Sequence, residues 1–73
     1  MSDDPVDRTI PRTTRFAEGI RIIHAAQPAA NFAAEHDVLY FGTPEGLSAE
    51  TIARLAVLGW WVDEGNESMA FFT

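Results

Sequence analysis

A chain of 73 residues without a single cysteine has to hold itself together by packing alone. Domains of this size hide only about 60–65% of the surface their unfolded chains expose, and the core they build is thin. Without cysteine there are no disulfides and no thiolate zinc sites to add to that core. What the chain has instead is rings: Trp60, Trp61, Tyr40 and five phenylalanines. These rings must either form a dense core or be buried by a partner. The apolar fraction of 47% is that of a globular protein and argues against wholesale disorder. No stretch approaches the ~20 apolar residues of a membrane helix. The start, Met1 to Pro5, is acidic and lacks the apolar centre of a secretory signal. A soluble cytoplasmic protein is the expectation.

Residues 1–12 contain Pro5 and Pro11 and no hydrophobic repeat, and are read as a flexible N-terminal tail. The remainder, 13–73, is read as one small α+β domain. From about Thr14 to Ala26, Phe16, Ile20, Ile23 and Gln27 recur at helical spacing, with Arg15 and Arg21 turned outward and Thr13 or Thr14 as the cap. Pro28 ends this helix, and the small residues Ala29 to Ala34 suggest a loop or a loose extra turn around Phe32. Asp37 to Gly42 reads as a strand apolar on both faces, Val38 and Tyr40 against Leu39 and Phe41, closed by the turn cluster Gly42-Thr43-Pro44-Glu45-Gly46.

A second helix has Ser48 as N-cap, a staple spacing between Leu47 and Ile52, Glu50 in its first turn and Gly59 as a left-handed stop. Its buried stripe runs through Ile52, Leu55 and Ala56. Trp60 to Phe72 then reads as a β-hairpin turning at Gly65-Asn66, with Val62 opposite Met69, Trp61 opposite Ala70 and Trp60 opposite Phe71. Trp60, Val62, Met69 and Phe71 face the helices, whereas Trp61, Asp63, Ser68, Ala70 and Phe72 line the other face. That face is half apolar where a solvated one should be polar. The expected architecture is α-β-α-β-β, two helices on a three-stranded antiparallel sheet with the uncharged last strand in the middle.

Charge is distributed unevenly. The first 21 residues balance Asp3, Asp4, Asp7 and Glu18 against Arg8, Arg12, Arg15 and Arg21. After Ile22 there are seven carboxylates (Glu35, Asp37, Glu45, Glu50, Asp63, Glu64, Glu67) against one cation, Arg54. The whole formal charge of −6 therefore sits on the part expected to fold. Such a surface repels nucleic acid and anionic membrane and attracts basic protein surfaces. Glu64 and Glu67 fall opposite each other at the hairpin tip, a placement that costs about 0.2–1 kcal/mol. This reads either as a solubilising tip or as a docking point for Arg or Lys.

Catalytic chemistry finds little support. Ser48 is a cap, Ser68 lies in a strand, and there is no Gly-x-Ser-x-Gly, cysteine or phosphate-cradling glycine pattern. His24 and His36 have no ligand spacing, and His36 and Asp37 as neighbours on a strand point to opposite faces. No enzyme, cofactor or metal role is expected, and Asp37 is read as shaping the start of its strand. Trp61 is the apolar candidate for an interface anchor.

Three stretches carry a resemblance: Ala34-Glu35-His36-Asp37 leading into Val38-Leu39-Tyr40, Leu55-Ala56-Val57-Leu58-Gly59-Trp60 followed by Asp63-Glu64, and Ala70-Phe71-Phe72-Thr73. Over roughly residues 34–73 the chain resembles small acidic phage and prophage accessory proteins, among them anti-CRISPR proteins. Met69 departs from the pattern, standing where an aromatic would be natural. The resemblance implies a phage-encoded protein, made in the cytoplasm of a bacterial host, that binds a host complex such as a CRISPR effector and blocks it. Together with the charge, this gives an acidic inhibitor that mimics nucleic acid on a basic protein surface and does not itself bind nucleic acid or membrane. Glu45, Glu50, Asp63, Glu64 and Glu67 are the expected contact carboxylates, with Trp61 as anchor. The alternative is a homodimeric structural or assembly protein joined through Trp61, Ala70 and Phe72.

Overall fold

The computed structural model describes residues 5–73. Residues 1–4, the start of the expected tail, lie outside the described residues. The order of elements is α1 (Arg12–Ala26), β1 (Phe32–Glu35), β2 (Val38–Phe41), α2 (Ala49–Val57), β3 (Trp60–Asp63) and β4 (Ser68–Phe72). The fold is α+β, with two helices against a four-stranded antiparallel sheet in the order β1-β2-β4-β3. The expected sheet of three strands is thus one strand short. The uncharged last strand does lie between two antiparallel neighbours.

The additional strand, β1, occupies the stretch read as a loop around Phe32. It pairs Phe32 with Phe41, Ala33 with Tyr40, Ala34 with Leu39 and Glu35 with Val38. All four of its residues are exposed, so it is held by its ladder and by the Phe32 ring resting 5.5 Å from that of Phe41. Alanine is depleted in strands, and the turn into β2 is His36-Asp37, with neither glycine nor asparagine. His36 nevertheless takes the positive φ of 57° that such a turn demands at its first central position. His36 and Asp37 are therefore turn residues, not successive members of a strand.

The hairpin β3–β4 has the anticipated register, Trp60 with Phe71, Trp61 with Ala70 and Val62 with Met69, extended by Asp63 with Ser68. Its loop spans four residues, Glu64 to Glu67, and the left-handed backbone falls on Glu67 (φ 51°), not on Gly65. Asp63 shapes this turn, its carboxylate accepting from the backbone N–H of Asn66 (3.2 Å) and from Asn66 Nδ2 (3.1 Å). Helix α2 begins as expected, Ser48 Oγ accepting from the Thr51 N–H at 3.1 Å. It stops at Gly59, whose φ is +97°.

Both helices lie on one face of the sheet. Ile23 of α1, Leu55 of α2 and Leu58 just beyond it pack with Leu39, Phe41, Trp60, Met69 and Phe71. Within this core Phe16 stacks on Trp60 with centroids 5.9 Å apart, and both meet Phe71, at 5.4 and 5.2 Å. Each such pair adds about 0.5–1.5 kcal/mol beyond its buried area. On the other face, Val38 and Tyr40 are half-buried while Trp61 and Phe72 are exposed. The expectation of β2 covered on both faces is corrected: the helices cover the Leu39 and Phe41 side only.

Helix α1 also departs from its reading. It starts at Arg12, with Pro11 as N-cap and no side-chain cap, so Thr13 and Thr14 lie within the helix. The buried face is Arg15, Gly19 and Ile23, so Arg15 points inward. Its Nε donates to Ile10 O at 3.0 Å and its Nη1 to Leu58 O at 3.4 Å, and the guanidinium sits 6.0 Å from the centre of the Phe71 ring. Residues just before the helix are tied in as well. The Asp7 N–H donates to Val57 O at 2.8 Å, and Ile10 packs against the core.

Candidate functional site

Two loops meet at one end of the sheet. The first, Gly42 to Ser48, is clamped by Gln27 at the end of α1. Gln27 Nε2 donates to Thr43 O (2.7 Å) and Glu45 O (3.1 Å), and Gln27 Oε1 accepts from the Thr43 N–H (2.9 Å). Gly42 is required here, because its φ is +74° and a Cβ would stand 2.5 Å from Ile23 Cγ2. On the sheet side, Ser68 Oγ donates to Gly42 O at 2.9 Å, which gives the buried Ser68 a structural role. The second loop is the Glu64–Glu67 turn, braced by Asp63.

Between them lies a shallow depression of about 360 Å³ bounded by Thr43, Pro44, Glu45, Val62, Glu64 and Glu67. Three of its six bounding residues are carboxylates and none is a cation. Glu45 is 19 positions before Glu64 in the chain, so tertiary structure alone brings them together. Among the described residues, the carboxylates of Glu45, Glu64 and Glu67 take part in no ion pair; the pair present is Glu18 with Arg21 on the exposed side of α1. There the bidentate guanidinium holds Glu18 below the usual carboxylate range and raises Arg21. Among the described residues, the depression is thus a rim of like charge with no counter-ion of its own.

The other expected contact residues lie elsewhere. Glu50 is exposed in the first turn of α2, where it complements the helix dipole and does not border the depression. The Asp63 carboxylate is committed to Asn66. Trp61, 40% exposed, borders a different hollow, one lined by arginines.

No protein-family model, curated protein or solved structure matches this chain.

The hollow beside Trp61 measures about 490 Å³ and opens where β3 leaves Gly59, between residues 5–8, the start of α1 and α2. Among the described residues, Arg8, Arg12 and Arg15 border it and no carboxylate does. Sequence reasoning left two of these arginines in a tail and turned the third outward. A signal was present: Arg12, Arg15, Gly19 and Ile23 recur at three- and four-residue spacing, which is a helix face. Asp7, next to this hollow in sequence, is held below the usual carboxylate range. The Thr9 hydroxyl is the main cause, followed by the Thr9 N–H, with the charge of Arg15 adding to it. His24 and His36 are both exposed, on α1 and in the β1–β2 turn.

Proposed function

We propose that this chain is a small inhibitory binding protein that sets the Glu45, Glu64 and Glu67 carboxylates against a basic, nucleic-acid-binding surface of a host complex, in the manner of an anti-CRISPR protein. One observation carries this reading: three carboxylates from two separate loops border one depression whose loops are braced by Gln27 and Asp63, with no cation among the described residues that line it. An arginine or lysine from a partner can pair with these exposed carboxylates. Glu50 and the net charge of −6 add long-range attraction, which speeds encounter more than it strengthens the final contact.

The test is affinity capture from a bacterial lysate at low and high ionic strength. A basic complex is expected to be retained at low salt and released at high salt, as the screening length falls from about 10 Å at 0.1 M to about 3 Å at 1 M. The double variant Glu64→Lys, Glu67→Lys should weaken capture by about ten- to a hundredfold while leaving the fold intact. Retention that ignores both salt and charge reversal refutes the proposal.

The exposure of Trp61 and Phe72 on the sheet face away from the helices favours a second reading, a homodimer through that face. Light scattering across a range of protein concentrations decides it. A dimer that persists in the charge-reversed variant but dissociates in Trp61→Lys supports it, and a monomer at every concentration removes it.

A further inference from the structure

We infer that β1 is a self-association edge, at which two copies of this chain pair their β1 strands antiparallel about Ala33 and join their sheets into one. β1 stands at the end of the sheet order β1-β2-β4-β3, and among the described residues no strand lies on its outer side. All four of its residues are exposed, Phe32 at 58%. Soluble proteins blunt such edges with lysine, proline or a bulge. Phe32-Ala33-Ala34-Glu35 has none of these, and its one charge stands at its end. This edge is separate from the acidic depression and from the Trp61 and Phe72 face, and its pairing depends on the role of neither.

Ladder geometry decides which backbone groups face outward. The Thr73 N–H donates to Asp37 O at 2.7 Å, so Asp37 and, two residues on, Leu39 turn their backbone groups toward β4. Val38 and Tyr40 turn theirs toward β1, where they meet Glu35 and Ala33. Phe32 and Ala34 therefore point their N–H and C=O groups outward. Both also lie on the helix side of the sheet, opposite Phe41 and Leu39. Two edges joined antiparallel by a two-fold axis carry their helices on the same side, so opposed residues share a face. Three registers satisfy this. Phe32 against Phe32 sets Ala34 against Ala30, whose N–H is already donated to Gln27 O at 2.9 Å. Ala34 against Ala34 sets Phe32 against His36, where the backbone turns at φ 57°. Phe32 against Ala34 engages both outward residues of both copies, with a ring beside a methyl group and Ala33 against Ala33 on the axis. It also sets Glu35 against Asn31 of the second copy, an amide donor, instead of against another acid. A second copy is the strand that fits this edge.

Sedimentation velocity on the full chain, up to about 1 mM protein and at low and high salt, reads the dimer. Each copy carries a charge of −6, so association should tighten as salt screens the repulsion, opposite in sign to the salt effect on a basic partner. Ala34→Pro removes an outward donor and no bond to β2. It should weaken the dimer at least about tenfold and leave thermal unfolding nearly unchanged. Trp61→Lys should leave the dimer intact. Because the chain has no cysteine, a single introduced one reports the register. Ala33→Cys sets two thiols across the axis, in a pair whose Cα atoms stand about 4.5 Å apart. It should cross-link under mild oxidation at least about tenfold faster than Ala34→Cys, whose counterpart lies opposite Phe32. Cross-linking also decides the matter should Ala34→Pro fail to fold. A monomer at every concentration and salt overturns the inference and leaves another protein's strand as the occupant of the edge. A dimer lost in Trp61→Lys but kept in Ala34→Pro, or equal cross-linking at positions 33 and 34, overturns it as well.

Discussion

Substituting alanine for Gly19 is expected to destabilise the protein by about 2–3 kcal/mol, although alanine is the better helix former by about 1 kcal/mol. The reason is the distance to Trp60. A Cβ at position 19 would stand 1.9 Å from Trp60 Nε1, 2.4 Å from Cε2 and 2.5 Å from Cδ1. The indole has nowhere to retreat. It is 2% exposed, stacked against Phe16, in contact with Phe71, and its Nε1 donates to Arg15 O at 3.3 Å. Accommodating the methyl group means moving α1 off the sheet or breaking up the aromatic cluster. For a domain of this size the expected fall in Tm is about 8–20 °C by calorimetry or circular dichroism. The control is a double-mutant cycle with Trp60→Leu, in which the penalty for Gly19→Ala should shrink sharply because the atom it strikes is gone. An undiminished penalty in that background would place the strain elsewhere.

Arg15→Ala is expected to cost about 2–4 kcal/mol, unusual for an arginine. The guanidinium joins three parts of the chain: α1 itself, the segment before it through Ile10 O, and the end of α2 through Leu58 O. Leu58 is the C-cap of α2, where a cation also offsets the partial negative charge of the helix end. Removing the side chain leaves buried carbonyls without donors and a void beside Phe71 and Gly59. Arg15→Lys should recover little, since one ammonium cannot reproduce a fork that reaches two separated carbonyls. Arg21→Ala, whose side chain is 68% exposed, should stay within about 0.5 kcal/mol of the parent. Denaturant unfolding of the three variants measures this directly, and similar midpoints for Arg15→Ala and Arg21→Ala would contradict the buried placement.

Reading the sequence succeeds where the signals are local and stops where they are not. Helix α2 was legible because its signals are local: a serine cap, a periodic apolar stripe and a glycine that accepts φ +97°. The β3–β4 hairpin was legible for the same reason, as alternation fixes which side chains share a face and a short loop fixes the register. The central place of β4 followed from its freedom from charge. The acidic excess after Ile22 was equally plain, being a count. Strand β1 was not legible, because an alanine-rich segment and a His-Asp turn have no strand or hairpin propensity of their own, and only the open edge of β2 recruits them. Arg15 was misplaced because hydropathy assigns every arginine to water, whereas a guanidinium can be buried wherever carbonyls and a ring face await it. The two hollows belong to the same category. Glu45 joins Glu64 and Glu67, and the arginines gather around Trp61, because the helices and loops are docked on one sheet, and no local pattern encodes a distance between residues far apart in the chain.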